Sequence, residues 1–157
     1  MMAALTEANV RMATEADYPA VGRLLHRFNL EFDDPSPEPS VMAARVGELV
    51  AAGDTVVLIA GEGPDALVLL RFRANLWSPH DESYVAELYV VPEHRRHGLG
   101  QALMERAMSL SRERGCDRIE LCTEETDIGA RALYEKLGFV NHYGDDGALM
   151  LYYERDL

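Results

Sequence analysis

One stretch, residues 84–114, constrains the fold more than any other part of the chain. A β-branched and aromatic run at 84–91 stops at Pro92, and a helical pattern of apolar residues begins at Gly98. The residues at 94–100 are His-Arg-Arg-His-Gly-Leu-Gly. A helix N-terminus favours an anion because its N–H groups are unpaired, and glycines let a ligand approach the backbone closely. The stretch therefore predicts a strand, a basic turn and a helix that together form a phosphate site.

Periodic apolar runs in the rest of the chain predict an α/β protein with one layered core. The expected order of elements is βααβββαβαββ, with a mixed central sheet of about seven strands flanked by about four helices. Strands are expected at residues 10–13, 55–60, 66–72, 84–91, 118–123, 139–143 and 148–153. Helices are expected after Thr14, after Ser40, from Gly98 and at residues 128–137.

The composition fits a single domain that spans residues 1–157. Apolar residues make up 48% of the chain and charged residues 27%, and a chain of this length can bury one substantial core. The formal charge of −12 repels nucleic acid and anionic membranes, so neither is an expected partner. The sequence has no signal-peptide pattern and no apolar run near the ~18 residues that a membrane span needs, so the protein is expected to be cytoplasmic.

The cysteines and histidines predict no metal site. Cys116 and Cys122 bracket one expected strand, too far apart for a disulfide, and are expected to be free thiols. His26, His80 and His142 fall in unlike elements without the spacing of metal ligands.

Residues 31–39 contain three prolines and four acids, a composition that excludes both a helix and a central strand. The segment is predicted to be an exposed loop. Two interpretations stay open: a gate for a cationic substrate, or a solvated connector.

The basic turn lacks the fingerprints of dinucleotide and nucleoside triphosphate sites, which leaves coenzymes of the acyl-transfer kind. It resembles the Arg/Gln-x-x-Gly-x-Gly/Ala acetyl-CoA motif of the GNAT family of N-acetyltransferases, with Arg95, Gly98 and Gly100 at the motif positions. The run at 87–92, Glu-Leu-Tyr-Val-Val-Pro, resembles the fourth strand of that family. Residues 127–139 resemble its Asn-x-x-Ala-x-x-Leu-Tyr-x-x-x-Gly-Phe segment, with Asp in place of the Asn.

The resemblance implies a GNAT-type acyl-CoA N-acyltransferase fold that uses acetyl-CoA as cosubstrate and no metal. In this family the backbone of the fourth strand, near Val90 and Val91, pairs with the pantetheine arm, and amides of the turn hold the pyrophosphate. The coenzyme-binding residues that the resemblance implies are Val90, Val91, Arg95, Arg96, His97, Gly98, Leu99, Gly100, Gln101, Asp127 and Tyr134.

Two residues are candidates for proton transfer. Tyr134 occupies the position of a family tyrosine that can protonate the leaving thiolate, although its spacing alone indicates a core aromatic. The incoming amine must lose a proton, and Glu87 is the nearest carboxylate on the fourth strand. Strand alternation could point Glu87 away from the acceptor unless a bulge intervenes, so Glu82, Tyr84 and water stay open as alternatives.

The sequence thus predicts an N-acetyltransferase that moves acetyl from acetyl-CoA to a small primary amine by direct attack in a ternary complex. No Cys/His or Ser/His pairing indicates a covalent route, and the acidic charge favours a cationic acceptor. A non-catalytic acyl-CoA-binding sensor or interaction module is the main alternative, and a nucleotide-binding protein is the other. The family often dimerises, and residues 148–153 could pair between two chains.

Overall fold

The computed structural model describes residues 8–157 and shows an α/β protein. These residues form two compact units, one ending at Leu121 and one beginning at Cys122. In chain order the elements are β1 (Arg11–Met12), α1 (Tyr18–Glu31), α2 (Pro39–Ala51), β2 (Thr55–Ala60), β3 (Ala66–Ala74), β4 (Asp81–Val90), α3 (Leu99–Glu113), β5 (Cys116–Leu121) and α4 (Ile128–Lys136).

The first unit is built on one mixed sheet with the strand order β1-β2-β3-β4-β5. The pairs from β1 to β4 are antiparallel, and β5 pairs parallel with β4. All of β2 and the first five residues of β3 are buried, because their nearly continuous Val, Leu and Ile runs are covered on both faces of the sheet. This buried centre fixes the position of β4.

Helices α1 and α2 pack on one face of the sheet, which we call the α1/α2 face, and α3 packs on the other. Gly22 lets α1 and α2 approach closely, since a Cβ built there would lie 2.3 Å from the carbonyl oxygen of Pro39. On the opposite face, the hydroxyls of Ser83 in β4 and Ser111 in α3 are 2.8 Å apart. The core of the α1/α2 face is formed by Val21, Leu24, Leu25, Val46, Val57, Ile59, Leu67, Leu69, Tyr89 and Val91.

A β-bulge interrupts the pairing of β3 with β4. Leu69 pairs with Glu87 and Leu70 with Val85, so Ala86 is an extra residue without a partner in β3. Side chains before the bulge, such as that of Val85, keep the alternation set by Ser83, whereas those after it are shifted by one. The bulge therefore reverses which residues of β4 face α1 and α2.

The second unit contains α4 and an irregular C-terminal segment. Asp127 caps α4, with its carboxylate accepting from the amide of Ala130 at 3.0 Å. Gly138, at φ 90°, allows the left-handed turn that follows the helix.

The mixed α/β fold with four helices is confirmed for the described residues, but the prediction of about seven strands is wrong. The described residues contain five strands, and the order of elements lacks the expected final ββ. Residues 139–143 and 148–153 form no ladder and share only the bridge between His142 and Leu149. The physical reason is that a two-stranded hairpin outside a larger sheet is marginal in water, and large apolar side chains of this segment, such as Leu151 and Tyr153, are exposed.

None of the helices between residues 8 and 157 combines the length and hydropathy that a membrane-spanning segment requires. Both cysteines are free thiols, as expected.

Candidate active site

The turn between β4 and α3 adopts left-handed backbone conformations at two positions. After Val91, a short 3-10 turn at Pro92–His94 leads into Arg96 at φ 64° and Gly98 at φ 84°. Glycine is suited to the second position because an L side chain there is strained. Gly98 is the N-terminal cap residue of α3, so this conformation sets the direction in which the helix begins.

Four successive amides at this helix start face no backbone acceptor in the described chain: those of His97, Gly98, Leu99 and Gly100. The first bond into the helix runs from the amide of Ala102 to the carbonyl of Gly98, at 3.0 Å. Such a group of N–H donors, at the positive end of a helix of 15 residues, suits the chemistry of a pyrophosphate. The side chain of Gln101 donates instead to Glu105, at 2.8 Å.

Beside the turn, one edge of β4 is open. The parallel pairing with β5 stops at Val85 and Leu121, so the following residues of β4 have no partner on that side among the described strands. The amide of Val91 donates to the carbonyl of Asp65 at 2.9 Å, on the β3 side. Because neighbouring residues of a strand point their polar groups to opposite edges, those of Val90 face the open edge. An extended chain could pair there with the β4 backbone.

Arg95 is held by the fold. Its Nε donates to the carbonyl of Val90 at 2.9 Å, and its Nη2 lies 2.6 Å from a carboxylate oxygen of Glu31 in α1. The side chains of Arg96 and His97 are exposed. The side chain of Arg95 thus links the turn to β4 and α1, while the main chain of the turn presents the N–H donors.

The bulge places Glu87 on the α1/α2 face. Strict alternation from Ser83 would have directed Glu87 towards α3, but its pairing with Leu69 puts it on the face that carries Tyr89. Burial raises the pKa of the Glu87 carboxyl above its ordinary value. Among residues 8–157, its carboxylate has no hydrogen bond and no ion pair to compensate for that burial.

The two other residues considered as bases share this face. Glu82 pairs in the sheet with Arg73, and Tyr84 with Arg71. The carboxylate of Glu82 accepts from Arg73 at 2.6 Å. The Arg73 guanidinium thus occupies the carboxylate of Glu82, which leaves it less available to an incoming amine.

In the second unit, Tyr134 is buried, with 8% of its surface exposed, and lies on α4. Its ring makes an edge contact with Phe139, at 5.9 Å between centroids. Burial, with a smaller contribution from the charge of Asp127, raises the pKa of Tyr134 to about 12. The phenol therefore keeps its proton at neutral pH.

The sequence did not predict that Glu31 contacts residues at the C-terminal end of β4. Glu31, the last residue of α1, also accepts from the hydroxyl of Tyr89, at 2.8 Å. The two residues are 58 positions apart, and no local pattern marks a contact of that kind. No cluster of three or more potential metal ligands occurs in the described part of the chain.

The sequence and the fold are similar to those of known acetyltransferases. The acetyltransferase (GNAT) family model matches residues 4–139. A mycothiol acetyltransferase of Beutenbergia cavernae is 36% identical over 101 residues, which are 62% of this chain and 32% of that protein. The N-alpha-acetyltransferase 30 of Homo sapiens is 41% identical over 70 residues, 45% of this chain and 18% of that protein. The chain thus spans a third or less of the length of these two curated relatives.

Among solved structures, a protein of Arthrobacter sp. FB24 that is assigned to the acetyltransferases has the same fold, with a TM-score of 0.87 and 42% identity. The similarity covers 94% of this chain and 95% of that one.

Proposed function

Because the chain belongs to the acetyltransferase (GNAT) family, we propose that it transfers acetyl from acetyl-CoA to a primary amine by direct attack in a ternary complex. The observation that carries the proposal is the group of four amides at the start of α3, next to the open edge of β4. The family match crosses the boundary between the two units, which supports a single acetyltransferase domain over residues 1–157.

In this proposal the coenzyme is bound mainly by the backbone. The amides from His97 to Gln101 hold the pyrophosphate, and the β4 backbone at Val90 and Val91 binds the pantetheine arm, as in the family. The open edge supports this role for Val90, whereas the amide of Val91 already donates to Asp65. A β4 N–H that points at the thioester oxygen would stabilise the charge that develops there, a contribution worth ~3 kcal/mol per donor. Acetyl-CoA supplies the activated acetyl group.

Glu87 is proposed as the base that takes the proton from the amine. Its raised pKa makes it a stronger base than an ordinary carboxylate, and no guanidinium binds it within the described chain. Its place on the α1/α2 face puts it on the side where the acidic loop after α1 begins. Glu82, Tyr84 and a water molecule remain the alternatives.

Tyr134 is proposed as the acid that gives its proton to the departing thiolate. A pKa of about 12 keeps the phenol protonated at neutral pH, so that it is ready to donate. Asp127, which the family resemblance includes among the coenzyme-binding residues, caps the same helix and thereby orients it.

The acceptor is proposed to be a small amine, and a cationic one. The formal charge of −12 attracts cations, and Asp33 and Asp34 in the loop after α1 add negative charge near the α1/α2 face. The names of the relatives point to different acceptors, so charge is the better guide. Since those relatives are named as enzymes, catalysis is favoured over a binding module that only senses coenzyme.

The test is a thiol-release assay with acetyl-CoA over a panel of amines that includes a polyamine, an aminoglycoside, a neutral amine and peptides with free N-termini. We expect free coenzyme A to appear with at least one cationic amine, together with a product heavier by one acetyl group in mass spectrometry. Binding of acetyl-CoA without thiol release from any acceptor would contradict the proposal and favour the sensor.

A further inference from the structure

We propose that Glu31 is a positioning residue for the coenzyme site. It acts through Arg95, which it holds against the backbone of β4. This inference rests on the proposed function, because it takes the turn between β4 and α3 as the place where acetyl-CoA binds. Glu31 belongs to α1 and lies outside the sequence motifs that define that turn.

The carboxylate of Glu31 has two partners at once. One oxygen lies 2.6 Å from Nη2 of Arg95, and the other accepts from the hydroxyl of Tyr89 at 2.8 Å. The Glu31 side chain is 26% exposed and that of Arg95 42%, so solvent screens the ion pair in part. Its main effect is therefore on the direction of the guanidinium and less on the stability of the fold.

The direction of that guanidinium matters because Arg95 contacts the open edge of β4. Its Nε donates to the carbonyl of Val90 at 2.9 Å, and Arg95 stands at the start of the turn that carries the free amides. Without the carboxylate, the long Arg95 side chain would regain rotamer freedom that coenzyme binding would have to remove. Glu31 thus pre-organises the junction between the pantetheine edge and the pyrophosphate turn.

Aromatic packing fixes the position of Tyr89, the second partner of Glu31. The Tyr89 ring is stacked on that of Phe28 in α1, at 4.9 Å between centroids and 17° between planes. The Arg95 guanidinium lies 5.8 Å from the centre of the same ring. The hydroxyl of Tyr89 therefore has a fixed position from which it orients the carboxylate of Glu31.

Glu31 also ends α1, and the loop with Asp33 and Asp34 begins directly after it. The same carboxylate consequently links the loop on the acceptor side to the turn on the coenzyme side.

The experiment is a double-mutant cycle on the affinity for acetyl-CoA, measured by isothermal titration calorimetry without an acceptor. Glu31→Gln keeps an acceptor for the Tyr89 hydroxyl but loses the charge that holds Arg95, so we expect Kd to rise about fivefold. In the Arg95→Ala background the same change should alter Kd by less than about twofold, because the two residues act as one unit. Tyr89→Phe, which keeps the stacking, should raise Kd by only about twofold.

Glu93→Gln is the matched control. Glu93 also ties α1 to the segment after β4, through an ion pair with Arg27 at 2.5 Å, but does not contact Arg95. Its Kd should stay within about twofold of the unmodified chain. With an amine that the unmodified protein acetylates, Glu31→Gln should raise the KM for acetyl-CoA and leave kcat within about twofold.

An unchanged Kd in Glu31→Gln would overturn the inference and leave the proposed function intact. An equal loss in the Arg95→Ala background would overturn it too, since Glu31 would then act through the fold alone. Failure of the unmodified chain to bind acetyl-CoA would reject the proposed function together with this inference.

Discussion

Two regions of β4 differ in the kind of group that would carry out the proposed function. At the C-terminal end, the turn into α3 offers main-chain amides, while Arg95 is held by Glu31 and Arg96 is exposed. On the α1/α2 face, the proposed chemistry depends on one side chain, the carboxylate of Glu87, whose pKa is raised by burial. A site made of backbone should respond to changes of conformation, and a site made of one carboxylate should respond to changes of side-chain identity.

The largest effect is expected from a change of conformation at the turn. Gly98→Val places a β-branched residue at φ 84°, which moves the amides out of line and should weaken acetyl-CoA binding on the order of 100-fold. Gly115→Val is the matched control, because Gly115 ends the same helix at φ 81° with open space around its Cβ position. Both variants should lose on the order of 2 kcal/mol of stability, and only the first should lose affinity in calorimetry.

The second effect tests side-chain identity on the α1/α2 face. Glu87→Gln should lower kcat on the order of 100-fold, with the KM for acetyl-CoA nearly unchanged. Because the base works when ionised, the kcat/KM of the unmodified enzyme should fall as the pH drops through the raised pKa of Glu87, and this limb should vanish in the variant.

Thermal stability distinguishes the loss of kcat in Glu87→Gln from misfolding of the variant. A carboxyl whose pKa is raised by the fold destabilises the fold at any pH where it is ionised, so Glu87→Gln should keep or raise the Tm at neutral pH. A loss of kcat in Glu82→Gln, with Glu87→Gln fully active, would assign the base to Glu82 instead.

A smaller effect is expected for the proposed acid in the second unit. Tyr134→Phe should lower kcat about tenfold, less than for the base because a thiolate is a stable leaving group, and should leave the Kd for acetyl-CoA within about threefold. Tyr143→Phe, an exposed tyrosine of the same unit, is the control. Unchanged turnover in Tyr134→Phe would return this residue to a packing role.

The smallest effect should come from the exposed side chains of the turn. Arg96→Ala and His97→Ala remove charge or bulk without altering the amides, and each should weaken acetyl-CoA binding less than about threefold, more at low salt than at high salt. A loss of affinity as large as that of Gly98→Val would contradict binding by the main chain, because the site would then depend on its side chains.

The sequence predicted most elements of the first unit because their apolar runs are dense. The predicted strand at 55–60 has the same bounds as β2. By contrast, β4 begins three residues before the expected residue 84, because its first half is polar and does not read as a strand. In the structure Ser83 is nevertheless buried, and its hydroxyl forms a hydrogen bond with that of Ser111. The prediction of a C-terminal hairpin was wrong for a different reason. Alternating apolar residues at 148–153 suggest a strand but do not tell whether a partner strand is available.

The candidate site was predictable where it depends on local conformation. The sequence predicted a glycine-containing turn between a strand and a helix at residue 98, and the structure adds that Gly98 is left-handed there, with φ 84°. The face on which Glu87 lies depends on an extra residue at Ala86 that strand periodicity does not reveal. The link between Glu31 and Arg95 joins α1 to the turn after β4, and only the tertiary fold brings them together.

Hydrogen–deuterium exchange with and without acetyl-CoA tests most directly the claim that the coenzyme is held by main-chain amides. We expect acetyl-CoA to slow exchange at residues 97–100 and at the open edge of β4 around Val90, and to leave exchange in β2 unchanged. Saturating acetyl-CoA with no added protection at residues 97–100 would contradict it.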